Sequence, residues 1–113
     1  MRLVTERISM AELKELAEAC LGNMVKGVVD VELKILVLGG EMHADEEAML
    51  LEQGSKQEDL WGINLYPEMC ADQWIEFDSI INLRPSQNNR SRGIESEPLR
   101  QRIAGIVQKL VIR

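Results

Sequence analysis

Three arginines, Arg84, Arg90 and Arg92, fall in a stretch, residues 82–93, that has almost no apolar content. A guanidinium group offers planar, bidentate hydrogen bonds to phosphate or carboxylate. Ser86, Gln87, Asn88, Asn89 and Ser91 add neutral donors. Asn88, Asn89 and Gly93 tolerate positive φ, so backbone N–H groups can turn inward around an anion. The expected ligand-binding set is therefore Arg84, Gln87, Asn88, Asn89, Arg90 and Arg92. No glycine-rich phosphate fingerprint accompanies it. The competing reading is that the arginines tie the loop to acidic neighbours such as Glu76 and Asp78.

A second group is Glu41, His43, Asp45 and Glu46, at the junction of a strand and a helix. His43 is the only histidine, so any imidazole acid–base role must use it. A strand-end reading puts Glu41 and His43 on one face. A metal site needs three or four ligands, and only remote carboxylates such as Asp78 or Glu76 could complete one here. No metal is expected, and the pattern specifies no cofactor. The third group is the polar face of the 73–84 segment: Glu76, Asp78, Asn82 and Arg84. Its simplest role is as the wet face of an antiparallel sheet. If it converged with the second group, His43, Glu41, Asp45 and Asp78 with an arginine would form a phosphoester hydrolase or nuclease site.

The elements that must position these groups can be read from periodicity. Residues 2–7 suggest a short strand. Ser9 and Glu12 have capping-box spacing, with Ile8 and Leu13 as a hydrophobic staple. Leu13, Leu16, Ala17, Cys20 and Leu21 then form a helical stripe ended by Gly22. Residues 24–31 and 35–42 read as a hairpin. Residues 44–53 read as a helix with an acidic first turn and with Ala44, Ala48 and Leu51 inward, the face widened by Leu50 or Met49. Residues 60–66 are a strand stopped by Pro67, and 73–84 alternate as the clearest strand. Residues 84–96 form a long polar loop, the kind that is usually functional or disordered. Pro98, Leu99, Ile103, Ile106, Val107 and Leu110 mark a last amphipathic helix.

The expected fold is α+β, in the order β-α-β-β-α-β-β-α. It has about five mainly antiparallel strands, with three helices packed on one sheet face. At 113 residues the chain is expected to be a single domain, 1–113, with one core.

The net charge of −6 hides an asymmetry. Residues 1–83 carry a balance of −11 and residues 84–113 a balance of +5. An acidic whole argues against an extended duplex footprint and leaves RNA weakly supported. It suits a local anion site or charge-complementary self-association into a homo-oligomer. No apolar run approaches the roughly 20 residues that span a bilayer, so no membrane partner is expected. Glu6, Glu12 and Glu15 interrupt any signal-peptide core, making cytoplasmic the expected location. Cys20 and Cys70 lack CxxC spacing and are expected to be reduced, Cys20 packed against the helix's apolar side.

The runs Gly39-Gly40-Glu41-Met42-His43-Ala44-Asp45, Gly54-Ser55-Lys56-Gln57-Glu58-Asp59-Leu60-Trp61-Gly62-Ile63-Asn64-Leu65-Tyr66-Pro67, Ile75-Glu76-Phe77-Asp78-Ser79 and Asn82-Leu83-Arg84-Pro85-Ser86-Gln87 resemble a family of small prokaryotic proteins known only as a domain of unknown function. That resemblance covers most of the chain and implies no activity, cofactor or catalytic residue. From the residues alone, the leading expectation is a binding module for a phosphate-bearing small molecule or an acidic protein surface. The alternatives are the His43 hydrolase and an oligomeric interaction subunit.

Overall fold

Residues 1–112 are described by a computed structural model of the chain. Three residues, Arg2–Val4, form β1, and Ile8–Ser9 form β2. Helix α1 (Met10–Cys20) starts at Ser9, whose side chain and that of Glu12 make the reciprocal capping box. Ile8 and Leu13 are buried in one cluster, as a staple requires. At the other end Gly22, at φ +89°, donates its N–H back to Ala17.

Strands β3 (Val25–Asp30) and β4 (Ile35–Leu38) make the expected hairpin, with Asp30 opposite Ile35. The turn between them is built by the buried Asp30 carboxylate, which accepts from the N–H groups of Glu32 and Leu33 at 2.9 Å and from the Ser55 hydroxyl. Lys34 closes that turn at φ +59°. A left-handed residue with a Cβ costs about 1 kcal/mol or more relative to glycine, so a lysine there runs against local preference.

Helix α2 (His43–Glu52) leads through a 3-10 turn (Gln57–Asp59) into β5 (Leu60–Leu65), which pairs with β3 along its whole length. β6 is only Ile75–Glu76. The last helix, α3 (Glu97–Leu110), is capped by the Ser96 hydroxyl and runs into β7 (Val111–Ile112). One sheet holds β1-β4-β3-β5-β6, antiparallel throughout, and β2 pairs with β7 in parallel. The α+β class, three helices and five antiparallel strands are those expected.

The layering is not. Successive strand residues face opposite sides, and both sides are covered. Val25, Val29, Leu36, Leu38 and Ile63 pack with Leu13 and Ala17 of α1 and Ile103 and Val107 of α3. Val28, Val37 and Leu60 pack with Leu50 of α2. Helices thus lie on both sheet faces rather than one. Both strands of the central hairpin are buried on both sides, so their near-continuous Val/Ile/Leu runs needed a second layer.

The inward stripe of α2 also differs. Ala44, Ala48 and Leu51 are exposed; Leu50 is buried as expected, but its inner neighbours are His43 and Glu46. Two polar residues hold inner positions, which a pattern of apolar residues cannot reveal. Cys20 is exposed rather than packed, and both cysteines are free. Gly105, mid-way along α3, has open space where a Cβ would stand. A glycine there costs about 1 kcal/mol relative to alanine, and nothing inside the fold requires it. No helix among the described residues is long and apolar enough to cross a membrane.

Candidate functional site

The expected strand at 73–84 is cut short at Glu76, and the reason lies on β5. Gly62 has no room for a side chain: a Cβ there would lie 2.5 Å from the Ser79 Cβ and 3.2 Å from the His43 ring. The chain after β6 therefore crosses β5 closely instead of pairing with it. Side chains take over the pairing. Asn82 is fully buried; its Oδ1 accepts from the Gly62 N–H at 2.8 Å and its Nδ2 donates to the Gly62 carbonyl at 2.9 Å. One amide thus supplies both hydrogen bonds that a neighbouring strand residue would have made. It also donates to the Arg92 carbonyl at 3.1 Å.

Arg84 continues this side-chain edge. Its guanidinium donates to the carbonyls of Leu60 and Gln57 and to the Gln87 side chain, and it lies 3.9 Å from the Trp61 ring centre. Stacking on an aromatic face partly offsets the desolvation of a half-buried cation. Burial nonetheless lowers its pKa from the ordinary value, and the Glu47 charge acts the other way. Gln87 in turn donates to the Glu58 carbonyl at 3.1 Å. Asn88 takes φ +60° to close the small turn at Pro85–Gln87. Asn89 is buried beneath the loop, donating to the carbonyls of Asn82, Ser91 and Gly93 and accepting from the Glu95 N–H.

Of the expected anion-binding set, Arg84, Gln87 and Asn89 hold the loop to the body, and Asn88 sits exposed at its turn. The side chains of Arg90 and Arg92 project from the frame so formed. The Arg90 N–H donates to the Glu95 carboxylate, while Arg92 Nε meets Asp78 Oδ1 at 2.9 Å. That last pair is open to solvent, at 59% and 47% side-chain exposure. Part of the loop is therefore tied to two acidic residues, Asp78 and Glu95, but most of it is tied to backbone carbonyls.

Beside this loop lies a polar row across the α2 face of the sheet: Lys26 on β3, Asn64 on β5 and Glu76 on β6, in register. Asn64 donates to Glu76 at 2.8 Å and to the Asp78 carbonyl at 3.2 Å, and the Tyr66 hydroxyl donates to the same Glu76 oxygen. Asn64 is buried, and its side chain also interacts with the His43 ring. Lys26 makes no ion pair among the described residues.

His43 enters from the first turn of α2. Its Nε2–H donates to the Ile63 carbonyl at 2.8 Å, which leaves Nδ1 as the basic nitrogen. Burial holds the imidazole below its ordinary range and the Lys26 charge adds to this, against the Ile63 carbonyl, the Asn64 side chain and the Asp78 charge. The site thus favours the neutral imidazole.

The structure separates the expected catalytic candidates. His43 and Asp78 belong to the row beside Arg92. Glu41 and Asp45 instead line a cleft between α2 and the C-terminal turn of α1, which also includes Cys20 and Gly40. Residue 43 opens a helix rather than ending a strand, so Asp45 points away from it. Among the described residues, no three His, Cys, Asp or Glu side chains are placed to hold a metal ion. The residues that sequence reasoning missed as a site are Lys26, Asn64 and Tyr66. Asn64 and Lys26 are polar positions inside otherwise apolar strands, and that was the available signal.

No curated protein and no solved structure matches the chain. Its residues 2–110 match the model of the family described as "Protein of unknown function (DUF5674)", and the chain belongs to that family.

Proposed function

We propose that this protein is a small binding module for an anionic ligand, a phosphate-bearing small molecule, recognised by Arg90 and Arg92 on the loop that Asn82, Arg84 and Asn89 hold in place. The observation that carries the reading is this division of labour. Three buried or half-buried polar side chains fix the loop, so two guanidinium groups are presented with little further ordering to lose on binding. The exposed Arg92–Asp78 pair is of the kind worth about 1 kcal/mol or less, so a phosphate dianion competes with it readily. Lys26 adds positive charge on the neighbouring face.

A phosphoester hydrolase built on His43 has less support. Its Nε2–H is committed to a backbone carbonyl, and Glu41 and Asp45 belong to another cleft. Self-association through the acidic body and basic C-terminal part is a third reading, distinguished by salt-sensitive dimerisation.

Thermal melting at low salt with inorganic phosphate, nucleotides and sugar phosphates tests the proposal. Ligand at about 100 times its dissociation constant adds roughly 2.7 kcal/mol, a rise of several degrees in Tm for a domain of this size. The double variant Arg90→Ala/Arg92→Ala should melt like the parent yet lose the ligand response, and high salt should suppress it. A response that survives the double substitution rules this site out, as does silence across the panel.

A further inference from the structure

A second cleft, of about 710 Å³, opens between α3 and the β3–β4 turn on the side of the molecule served by residues just after β1. Its floor is apolar: Ile106 and Leu110 from α3, with Leu33 leaning over it at 57% exposure. Its rim is cationic, with Lys34 on the turn and Arg102 and Lys109 on α3. Lys34 and Lys109 make no ion pair among the described residues; Arg102 donates from one guanidinium nitrogen to the Val31 carbonyl at 2.9 Å and lies 3.5 Å from the exposed Glu32 carboxylate. Arg102 and Lys109 come from the cationic C-terminal part of the chain, and Lys34 joins them from the acidic part.

Two residue choices in the walls run against local preference, and both face this space. Lys34 occupies a left-handed turn position where glycine or asparagine fits with less strain. Gly105 occupies a helix interior where alanine is better, and no neighbouring atom excludes a side chain. Each is accounted for if the cleft is used: the lysine supplies a charge that glycine lacks, and the glycine keeps the opening clear. Departures from local rules that converge on one place are the usual mark of a functional site.

We propose that this cleft binds a small organic anion with an apolar body, an alkyl carboxylate in chemical class. The carboxylate meets Lys34, Lys109 and Arg102, and the chain lies over Ile106 and Leu110 against Leu33. The volume is within the range of small-molecule sites. Glu6 also lines the cleft, so a polyanion would meet more repulsion there than a single carboxylate.

Titration of octanoate into the isotopically labelled full chain, followed by amide NMR, tests this. Saturable shifts are expected at Leu33, Lys34, Gly105 and Ile106, with octanol at the same concentration producing much weaker ones. Gly105→Leu fills the cleft with a good helix former, so it should keep or raise Tm while abolishing the shifts. Lys34→Gly relieves the turn and should likewise keep Tm, while weakening octanoate by about tenfold or more. Octanoate shifts that persist in Gly105→Leu, that map elsewhere, or that are matched by octanol would overturn the proposal. So would a response to anionic phospholipid vesicles with none to monomeric octanoate. Arg90→Ala/Arg92→Ala should leave octanoate binding unchanged, which separates this site from the arginine loop.

Discussion

Glu46→Gln raises the stability of this protein at pH 7 by about 2–3 kcal/mol, and the gain grows as the pH rises further. Glu46 lies fully buried under α2, with its Oε2 accepting the Gly40 N–H at 3.1 Å and its Oε1 without a partner. Gly40 is what lets it lie there, since a Cβ at that position would stand 2.7 Å from the Glu46 Cγ. Burial pushes its pKa up from 4.5 to about 9, against the pull of the Gly40 N–H and the Lys26 charge. At neutral pH the folded protein therefore carries a protonated carboxylic acid in its interior.

The unfolded chain releases that proton near 4.5 while the folded chain keeps it to about 9. Between those values the folded state binds more protons. Stability from this group is thus full at pH below 4.5 and is lost through the window up to about 9, at a slope of at most about 1.4 kcal/mol per pH unit. Glutamine is nearly isosteric, still accepts from Gly40, and has no proton to lose. Urea unfolding of both proteins at about pH 5 and about pH 8 decides the matter through their midpoints. Parallel pH profiles would show that Glu46 ionises normally in the fold, and the account of the buried acid would fall.

Asn82→Ala is the second large effect, a loss of about 3–5 kcal/mol. The substitution strips the Gly62 N–H and carbonyl of their partners at once and removes a bond to the Arg92 carbonyl. Each buried polar group left unsatisfied costs about 1–3 kcal/mol, and a methyl group can return none of it. Asn82→Asp should cost at least as much at pH 7, because the carboxylate accepts from the Gly62 N–H but sets a buried charge against the Gly62 and Arg92 carbonyl oxygens. Chemical denaturation gives the stability, and exchange of the Gly62 amide reports whether the edge of β5 has opened. A loss under about 1 kcal/mol, with that amide still protected, would mean that the side-chain edge matters little. The same variant should loosen the arginine loop and weaken any ligand response through Arg92, although Asn82 touches no ligand in the proposed site.

Several elements were legible without coordinates. The Ser9–Glu12 box, the Ile8–Leu13 staple and the α3 stripe from Ile103 to Leu110 are local patterns whose hydrogen bonds and burial close within a few residues. The β3–β4 hairpin was equally plain, its two apolar runs being one short turn apart. The expectation for 73–84 failed because alternation records which residues can face a core, not which backbone groups have a partner. There the partner of Gly62 is the Asn82 side chain, set by how closely Ser79 and His43 can approach a glycine. The α2 face failed for a related reason. His43 and Glu46 point inward because Ile63 and Gly40 offer them hydrogen bonds, and a hydrophobicity pattern carries no record of such partners.

By itself, the sequence determined the class of the fold, the order of most elements and the concentration of cationic donors in residues 82–93, because these depend on composition and short-range spacing. Only the tertiary structure decided which donors are spent inside. It turned Arg84 and Asn89 into supports and left Arg90 and Arg92 facing outward. It parted His43 from Glu41 and Asp45, and it brought Lys34 and Gly105 to one cleft from turns and helices far apart in the chain. Those assignments rest on long-range contacts, where a side chain's role is set by the carbonyl, ring or carboxylate that packing places against it.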